Sequence, residues 1–139
     1  MFASCIGASY DPVTGFVHLV NAGHVPPLLI RAAGTLEWIQ APRAPALGMR
    51  AGRDFGSVAF QLAPGDTLLL MTDGVTEARN TAGEEFGAAR VEAALRGLHV
   101  ESPQDCIKKL TDAVARFTTM VEQSDDVTCL AVVHKGAPA

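Results

Sequence analysis

Two short acidic segments, residues 72–74 (Thr-Asp-Gly) and 124–126 (Ser-Asp-Asp), stand where apolar, strand-like runs meet polar sequence. The first follows residues 68–71 and the second precedes residues 127–133, both apolar. Carboxylates at the ends of buried strands are held rigidly while facing solvent, and Mg²⁺ and Mn²⁺ prefer such hard oxygen ligands. For either segment alone the favoured interpretation is that its aspartate begins a turn, as Asp before Gly often does. Together, and with a third motif (residues 21–27), they favour a metal site. We therefore expect Asp73 and Asp125 to lie side by side at the ends of neighbouring antiparallel strands.

The composition indicates one folded domain and argues against several classes of protein. The chain has 139 residues, 48% of them hydrophobic, which is ample for a packed core. No apolar run approaches the ~20 residues of a membrane span, and the first residues lack the basic region of a signal peptide, so we expect a cytoplasmic protein with no membrane partner. A net charge of −4 without a Lys/Arg run argues against a nucleic-acid partner. Cys5, Cys106 and Cys129 are predicted to be buried thiols in a reducing compartment.

Strands dominate the first half of the sequence. Residues 1–40 are predicted to form a β-meander, and residues 41–53 a loop or flap. A tight turn at residues 64–66 feeds the next strand. The expected strands are residues 2–10, 16–20, 28–30, 36–39, 57–62, 67–72 and 127–133.

Helices follow, and one has a clear start signal. Ser102 is a candidate N-cap, Pro103 suits the first helical position, and Asp105 can close a capping box onto Ser102. An apolar stripe runs from Cys106 to Val121, and a second helical pattern covers residues 91–98. The last strand is apolar on both faces, which predicts a central place in its sheet. The predicted fold class is α+β, with antiparallel β-sheets layered with helices.

Three segments, taken in chain order, resemble one family. They are residues 21–27 (Asn-Ala-Gly-His-Val-Pro-Pro), residues 65–78 with Thr-Asp-Gly-Val-Thr-Glu at their centre, and residues 124–128. Together they resemble the SpoIIE/RsbU branch of the bacterial metal-dependent (PPM) protein serine/threonine phosphatases. The resemblance covers nearly the whole chain and implies a PPM-like α/β sandwich.

The resemblance implies roles for particular residues. Asp73 and Asp125 match family metal ligands, and Asp126 is a further candidate beside them. Gly74 and Glu77 match the same motif; Glu77 would either orient a metal-bound water or be a solvated glutamate in the first turn of a helix. In the family, two Mn²⁺ or Mg²⁺ ions share a water that attacks a phosphoserine or phosphothreonine, so no side-chain nucleophile is expected.

One family element is not found. The family's first strand carries a Gly-Asp-x-x-Asp segment that supplies a bridging aspartate, and this chain has no equivalent outside its turns. We therefore expect residues 1–134 to be a partial, N-terminally truncated domain and residues 135–139 a disordered tail. A truncated sheet is expected to leave an apolar edge, either beside residues 2–10 or beside residues 127–133, through which the chain forms a homodimer.

Two functional interpretations remain open on the sequence. The first is a phosphatase domain acting on a phosphorylated regulatory protein, in this branch commonly an anti-sigma-factor antagonist. The second is a truncated or degenerate phosphatase fold that binds a partner without turnover. The missing first motif favours the non-catalytic interpretation for this chain alone. The presence of both Asp73 and Asp125 favours the phosphatase interpretation for the complete domain to which the chain is expected to belong.

Residues outside the acidic segments are given structural interpretations. Asn21 and His24 are predicted to shape a turn, although His24 would also suit a catalytic acid. Arg43, Arg50 and Arg53 in the flap would suit phosphate recruitment, with ordinary solubility as the default interpretation.

Overall fold

The structure is a computed structural model that describes residues 1–52, 54–122 and 125–137. Arg53, Ser124 and the last two residues of the predicted tail lie outside the described residues. The strands are β1 (Cys5–Tyr10), β2 (Phe16–Ala22), β3 (Leu28–Ile30), β4 (Leu36–Trp38), β5 (Ser57–Gln61), β6 (Thr67–Met71) and β7 (Cys129–Val133). The helices are α1 (Asp73–Thr76), α2 (Gly87–Leu95) and α3 (Pro103–Phe117). None of the helices in these ranges combines the length and apolar character that a membrane crossing needs.

The strands form two antiparallel sheets. One has the order β1-β2-β5 and the other the order β4-β3-β6-β7. The prediction of a meander over the first 40 residues is therefore wrong, because the chain leaves the first sheet after β2 and enters the second at β3. The change occurs at a turn followed by Pro26 and Pro27, whose missing N–H groups cannot continue the pairing of β2.

Two apolar clusters show that the molecule has three layers. Leu29 and Leu68, from the second sheet, pack with Val17 and Leu19 of β2. Leu28 and Leu69, their neighbours along the same strands, face the opposite way and pack with residues from all three helices. The second sheet is thus covered by the first sheet on one face and by helices on the other, which confirms the predicted α+β layering.

Helix α3 begins as its sequence predicts. The Ser102 Oγ accepts a hydrogen bond from the Asp105 N–H at 3.3 Å, and Asp105 Oδ2 accepts one from the Ser102 N–H at 2.9 Å. Cys106, Leu110 and Val114 are buried on the core side. The predicted stripe extends too far, however, because the helix ends at Phe117.

Strand β7 is an edge strand of the second sheet in the described part of the chain, so its predicted central position is wrong. Its apolar residues pair with β6 on one side only, in the register Met71↔Cys129 to Thr67↔Val133. Leu130 is 58% exposed. The sequence pattern led to the wrong position because an apolar run indicates that both faces of a strand are buried, but it does not show whether the strand has a neighbour on each side.

Candidate functional site

The first acidic segment is positioned by the junction of β6 and α1. Thr72 is the N-cap residue of α1 and has an extended backbone, with φ −77° and ψ 162°. Asp73 begins the helix, and its carbonyl accepts a hydrogen bond from the Glu77 N–H at 2.7 Å. The Asp73 side chain is exposed, so its carboxylate is presented to solvent at the end of a buried strand.

Thr72 joins this junction to the segment that precedes β7. Its N–H donates to the Thr128 carbonyl at 3.0 Å. Its Oγ1 donates to the Asp126 carbonyl at 2.8 Å and accepts from the Thr128 N–H at 3.0 Å. The Thr72 side chain makes no hydrogen bond to its own helix, so it serves the neighbouring strand instead of capping α1. No pattern in the sequence predicts this role of Thr72.

Gly74 allows the two acidic segments to approach each other. A Cβ at this position would lie 2.3 Å from the Asp126 carbonyl oxygen and 3.4 Å from the Asp125 carbonyl carbon. Only a residue without a side chain fits at this distance. The pairing of β6 with β7 therefore brings residues 73–74 and 125–126 together although more than 50 residues separate them, as the sequence analysis predicted.

The carboxylates around this junction are all exposed. Asp125 and Asp126 are exposed, and Asp125 Oδ1 accepts a hydrogen bond from the Asp126 N–H at 2.9 Å. Glu77 ends α1 and is also exposed. Among residues 1–52, 54–122 and 125–137, no group of three or more His, Cys, Asp or Glu side chains converges in a metal-binding arrangement. The donors are therefore of the right chemical kind for Mg²⁺ or Mn²⁺, but too few converge to hold the ion alone.

The segment around His24 forms the predicted turn. Asn21 Oδ1 accepts a hydrogen bond from the His24 N–H at 2.8 Å, and Asn21 Nδ2 donates to the His24 carbonyl at 2.9 Å. The structural interpretation of Asn21 is confirmed by these bonds. The His24 side chain is half-buried and borders a cleft described below.

Asp66, at the opposite end of β6, is a buried anchor of the fold. Its carboxylate accepts hydrogen bonds from the Ala32 and Ala63 N–H groups, each at 2.9 Å, and pairs with the Arg31 guanidinium at 2.9 Å. Burial acts to raise the pKa of Asp66, but the two N–H donors and Arg31 together hold it below its ordinary value. Asp66 thus stabilises the fold at the end of β6 remote from Asp73.

Cys106 and Cys129 are poorly suited to act as nucleophiles, because burial raises the pKa of each thiol. All three cysteines are free thiols, and burial raises the pKa of the Cys106 thiol to about 12, so it stays protonated near neutral pH. Burial also raises the pKa of Cys129. Cys5 is exposed on the edge strand β1, so the prediction that it is buried is wrong.

Comparison with known proteins agrees with this arrangement. A relative from Synechocystis, protein IcfG, is 30% identical over 134 residues, which is 95% of this chain but only 20% of the relative. The phosphatase domain of the cell fate determinant SpoIIE from Bacillus subtilis, presoaked with manganese, superposes with a TM-score of 0.76 at 23% identity and covers 99% of this chain and 58% of that chain. The RsbU and RsbW domains of Rv1364c from Mycobacterium tuberculosis superpose with a TM-score of 0.68 at 26% identity, over 98% of this chain and 37% of that chain.

The chain therefore spans less than two thirds of each of these relatives. The family model described as stage II sporulation protein E (SpoIIE) matches residues 1–135. With two layered antiparallel sheets, helices on one face, and the paired acidic segments at the ends of β6 and β7, the chain belongs to the SpoIIE family of PPM-type phosphatase domains.

Proposed function

We propose that this chain is part of a metal-dependent protein serine/threonine phosphatase. The observation that carries the proposal is the convergence of the Asp73 and Asp125–Asp126 segments at the ends of paired strands. The fold of the family supports it, and so does the exposure of all three carboxylates, since a metal site that meets a protein substrate must face solvent.

The proposed cofactor is Mn²⁺ or Mg²⁺, held by Asp73 and Asp125 with Asp126 beside them. Such an ion, when bound, lowers the pKa of a coordinated water and neutralises charge on phosphoryl oxygens. The chain's own residues then have three tasks: the aspartates present oxygens, Thr72 fixes the second segment against the first, and Gly74 permits their contact. Because the described residues supply too few converging donors, further ligands are needed to complete the site.

The proposed substrate is a phosphoserine or phosphothreonine on a regulatory protein, such as an anti-sigma-factor antagonist. The resemblance of the chain's motifs to the family implies this substrate class. The solved relatives include the phosphatase domain of a cell fate determinant. We place the protein in the cytoplasm, which suits its three free thiols.

The alternative is a non-catalytic module of the same fold that binds a phosphoprotein without turnover. The incomplete donor set among the described residues favours it for the isolated chain.

Under either function we propose a homodimer through an exposed sheet edge. Strand β7 is the best candidate for this edge because Leu130 is 58% exposed there.

Mn²⁺ binding tests the site independently of turnover. Mn²⁺ is paramagnetic and broadens nearby NMR signals even when it binds weakly, so we expect it to broaden selectively the amide signals of residues 73–76 and 125–128. Asp73→Asn or Asp125→Asn should remove the broadening without unfolding the chain, since Asn keeps the shape and loses the charge. The matched control is Asp112→Asn, which removes a carboxylate that pairs with Lys108 on α3.

Turnover is tested separately, in the full protein that contains this chain. With limiting Mn²⁺ and a phosphoserine peptide, Asp73→Asn and Asp125→Asn should abolish hydrolysis, whereas Asp112→Asn should not. Broadening without turnover would favour the non-catalytic module. Uniform broadening, or normal turnover in the Asp73 and Asp125 variants, would contradict the metal-ligand roles.

A further inference from the structure

A polar cleft of about 550 Å³ lies between the β2–β3 turn and the loop that follows β4. The turn contributes Asn21, His24 and Pro26, and the loop contributes residues 40–45 together with Arg50. Neither Asp73 nor Asp125 lines the cleft, so it is distinct from the paired acidic segments.

The lining of the cleft is basic although the protein is acidic. The whole chain has 15 Asp and Glu residues against 11 Lys and Arg. Of the residues that the structure describes, however, two arginines, one histidine and no carboxylate line the cleft. Within the described ranges, four other arginines form ion pairs with Asp or Glu, while Arg43 and Arg50 form none. Two guanidinium groups at one cleft are thus available to an anion from another molecule.

The walls of the cleft are held by hydrogen bonds and close packing. The Asn21 side chain bridges the turn at both the N–H and the carbonyl of His24. Gly23 has φ +68°, and a Cβ there would lie 2.8 Å from the Ala46 nitrogen, so turn and loop are in close contact. The loop is also paired to residue Ala3, because Leu47 exchanges two backbone hydrogen bonds with it, at 2.8 and 3.0 Å. A preformed binding surface loses less entropy when a ligand binds.

The cleft and the acidic segments lie at the same end of the second sheet. Strand β3 pairs antiparallel with β6, with Leu28 opposite Leu69. The residues before Leu28 therefore extend toward the end at which β6 finishes and Asp73 follows. A basic cleft beside an exposed acidic pair is complementary to a substrate that carries a phosphoryl group at one position and a further negative charge a few residues away.

We propose that this cleft is an oxyanion-binding subsite that takes an acidic side chain of the phosphoprotein substrate, close in sequence to the phosphorylated residue. The proposal rests on the proposed function for its substrate class. The phosphoryl group itself belongs beside Asp73 and Asp125, which do not line the cleft, so the anion in the cleft is a second one. Arg43 and Arg50 donate to its oxygens, and His24 borders the same space.

Peptide binding to the 139-residue chain, without added metal, tests the subsite independently of catalysis. The probes are fluorescent phosphoserine peptides with glutamates near the phosphoserine, the same peptides with those glutamates replaced by glutamine, and the unphosphorylated glutamate peptides. Fluorescence anisotropy gives the dissociation constants. The variant is Arg43→Gln with Arg50→Gln, and the control is Arg96→Gln with Lys109→Gln, which removes the same charge from exposed positions on the helical layer.

We expect the Arg43/Arg50 variant to bind glutamate peptides more weakly by about ten-fold for each arginine, with or without the phosphate. Its affinity for the glutamine phosphopeptide should be unchanged, and the control should bind all three as the wild type does. If the glutamine phosphopeptide loses affinity and the unphosphorylated glutamate peptide does not, the cleft holds the phosphoryl group and the proposal is overturned. Equal affinities of variant and wild type for every peptide would also overturn it. Absence of turnover or of Mn²⁺ broadening bears on the proposed function alone.

Discussion

Gly74 offers the sharpest test of how the two acidic segments are brought together. In Gly74→Ala, the new Cβ would meet the Asp126 carbonyl oxygen at 2.3 Å, and its neighbours there are backbone atoms with no rotamer to change. Ordinary contact begins near 3.4 Å, so the segments must separate by about 1.1 Å. Mg²⁺ is held at about 2.0–2.1 Å and demands near-ideal geometry, so this shift is half a metal–oxygen distance.

The effect on stability should be small by comparison. Overpacking typically costs about 1–3 kcal/mol, and alanine is favoured over glycine in a helix by about 1 kcal/mol. The second term partly offsets the first because Gly74 lies in α1, which leaves a net loss of about 0–2 kcal/mol in the free energy of unfolding. Metal affinity should fall by about ten- to a hundred-fold, the range seen when residues that orient metal ligands are changed.

The assay compares Mn²⁺ titrations and thermal unfolding of the wild type, Gly74→Ala and the control Gly7→Ala. Gly7 lies in β1 with ordinary φ and nothing within 4 Å of its added Cβ, so the control inserts the same methyl group without a clash. We expect the control to match the wild type in Mn²⁺ affinity. Unchanged Mn²⁺ affinity in Gly74→Ala would refute the argument that the Asp125–Asp126 segment must contact α1 to form the site.

Three other predictions concern the Thr72 hydrogen bonds, the buried Asp66 and the exposed edge strand β7. Thr72→Val should lower the free energy of unfolding by about 1–2 kcal/mol because it loses both Oγ1 hydrogen bonds, while Thr72→Ser should not, as chemical denaturation can show. Asp66→Ala should cost about 2–4 kcal/mol, because it leaves two N–H groups without their acceptor and removes the buried carboxylate that pairs with Arg31. Since the pKa of Asp66 is lowered by folding, its stabilising contribution is complete well above pH 3.8 and is lost as the pH falls below that value; wild-type and Asp66→Asn stabilities should therefore converge in acid. Leu130→Lys should shift the chain from dimer toward monomer in light scattering, and a wild-type chain that is already monomeric contradicts the edge interface.

Local sequence signals predicted local structure well. The capping box at Ser102 and Asp105 and the turn at Asn21 depend on groups three residues apart, and both form as expected. The pairing of β6 with β7 was also predicted, because two carboxylate segments at strand ends make chemical sense only if they meet. What the resemblance implies for the metal roles of Asp73, Asp125 and Asp126 stays a prediction.

Sheet membership and edge position were not predictable from the sequence. A meander and a chain that changes sheets have the same alternation of apolar residues, and only the packing of Leu29 on one sheet and Leu28 on the helices distinguishes them. Likewise, an apolar strand such as β7 indicates burial but not the presence of a neighbour on each side. The basic cleft is equally non-local, since Arg43 and His24 line it from separate segments, and Gly23 allows the loop to approach the turn.

The Thr-Asp-Gly motif shows why a short local sequence can specify a long-range site. Each residue meets a separate physical demand: Thr72 bonds to residues 54 and 56 positions away, Asp73 presents a carboxylate, and Gly74 leaves room for the Asp126 carbonyl. A turn by itself would require only the aspartate and the glycine. The threonine side chain makes no hydrogen bond within its own helix. Its side-chain contacts across the sheet therefore distinguish a site assembled from two distant segments from an ordinary strand-to-helix turn.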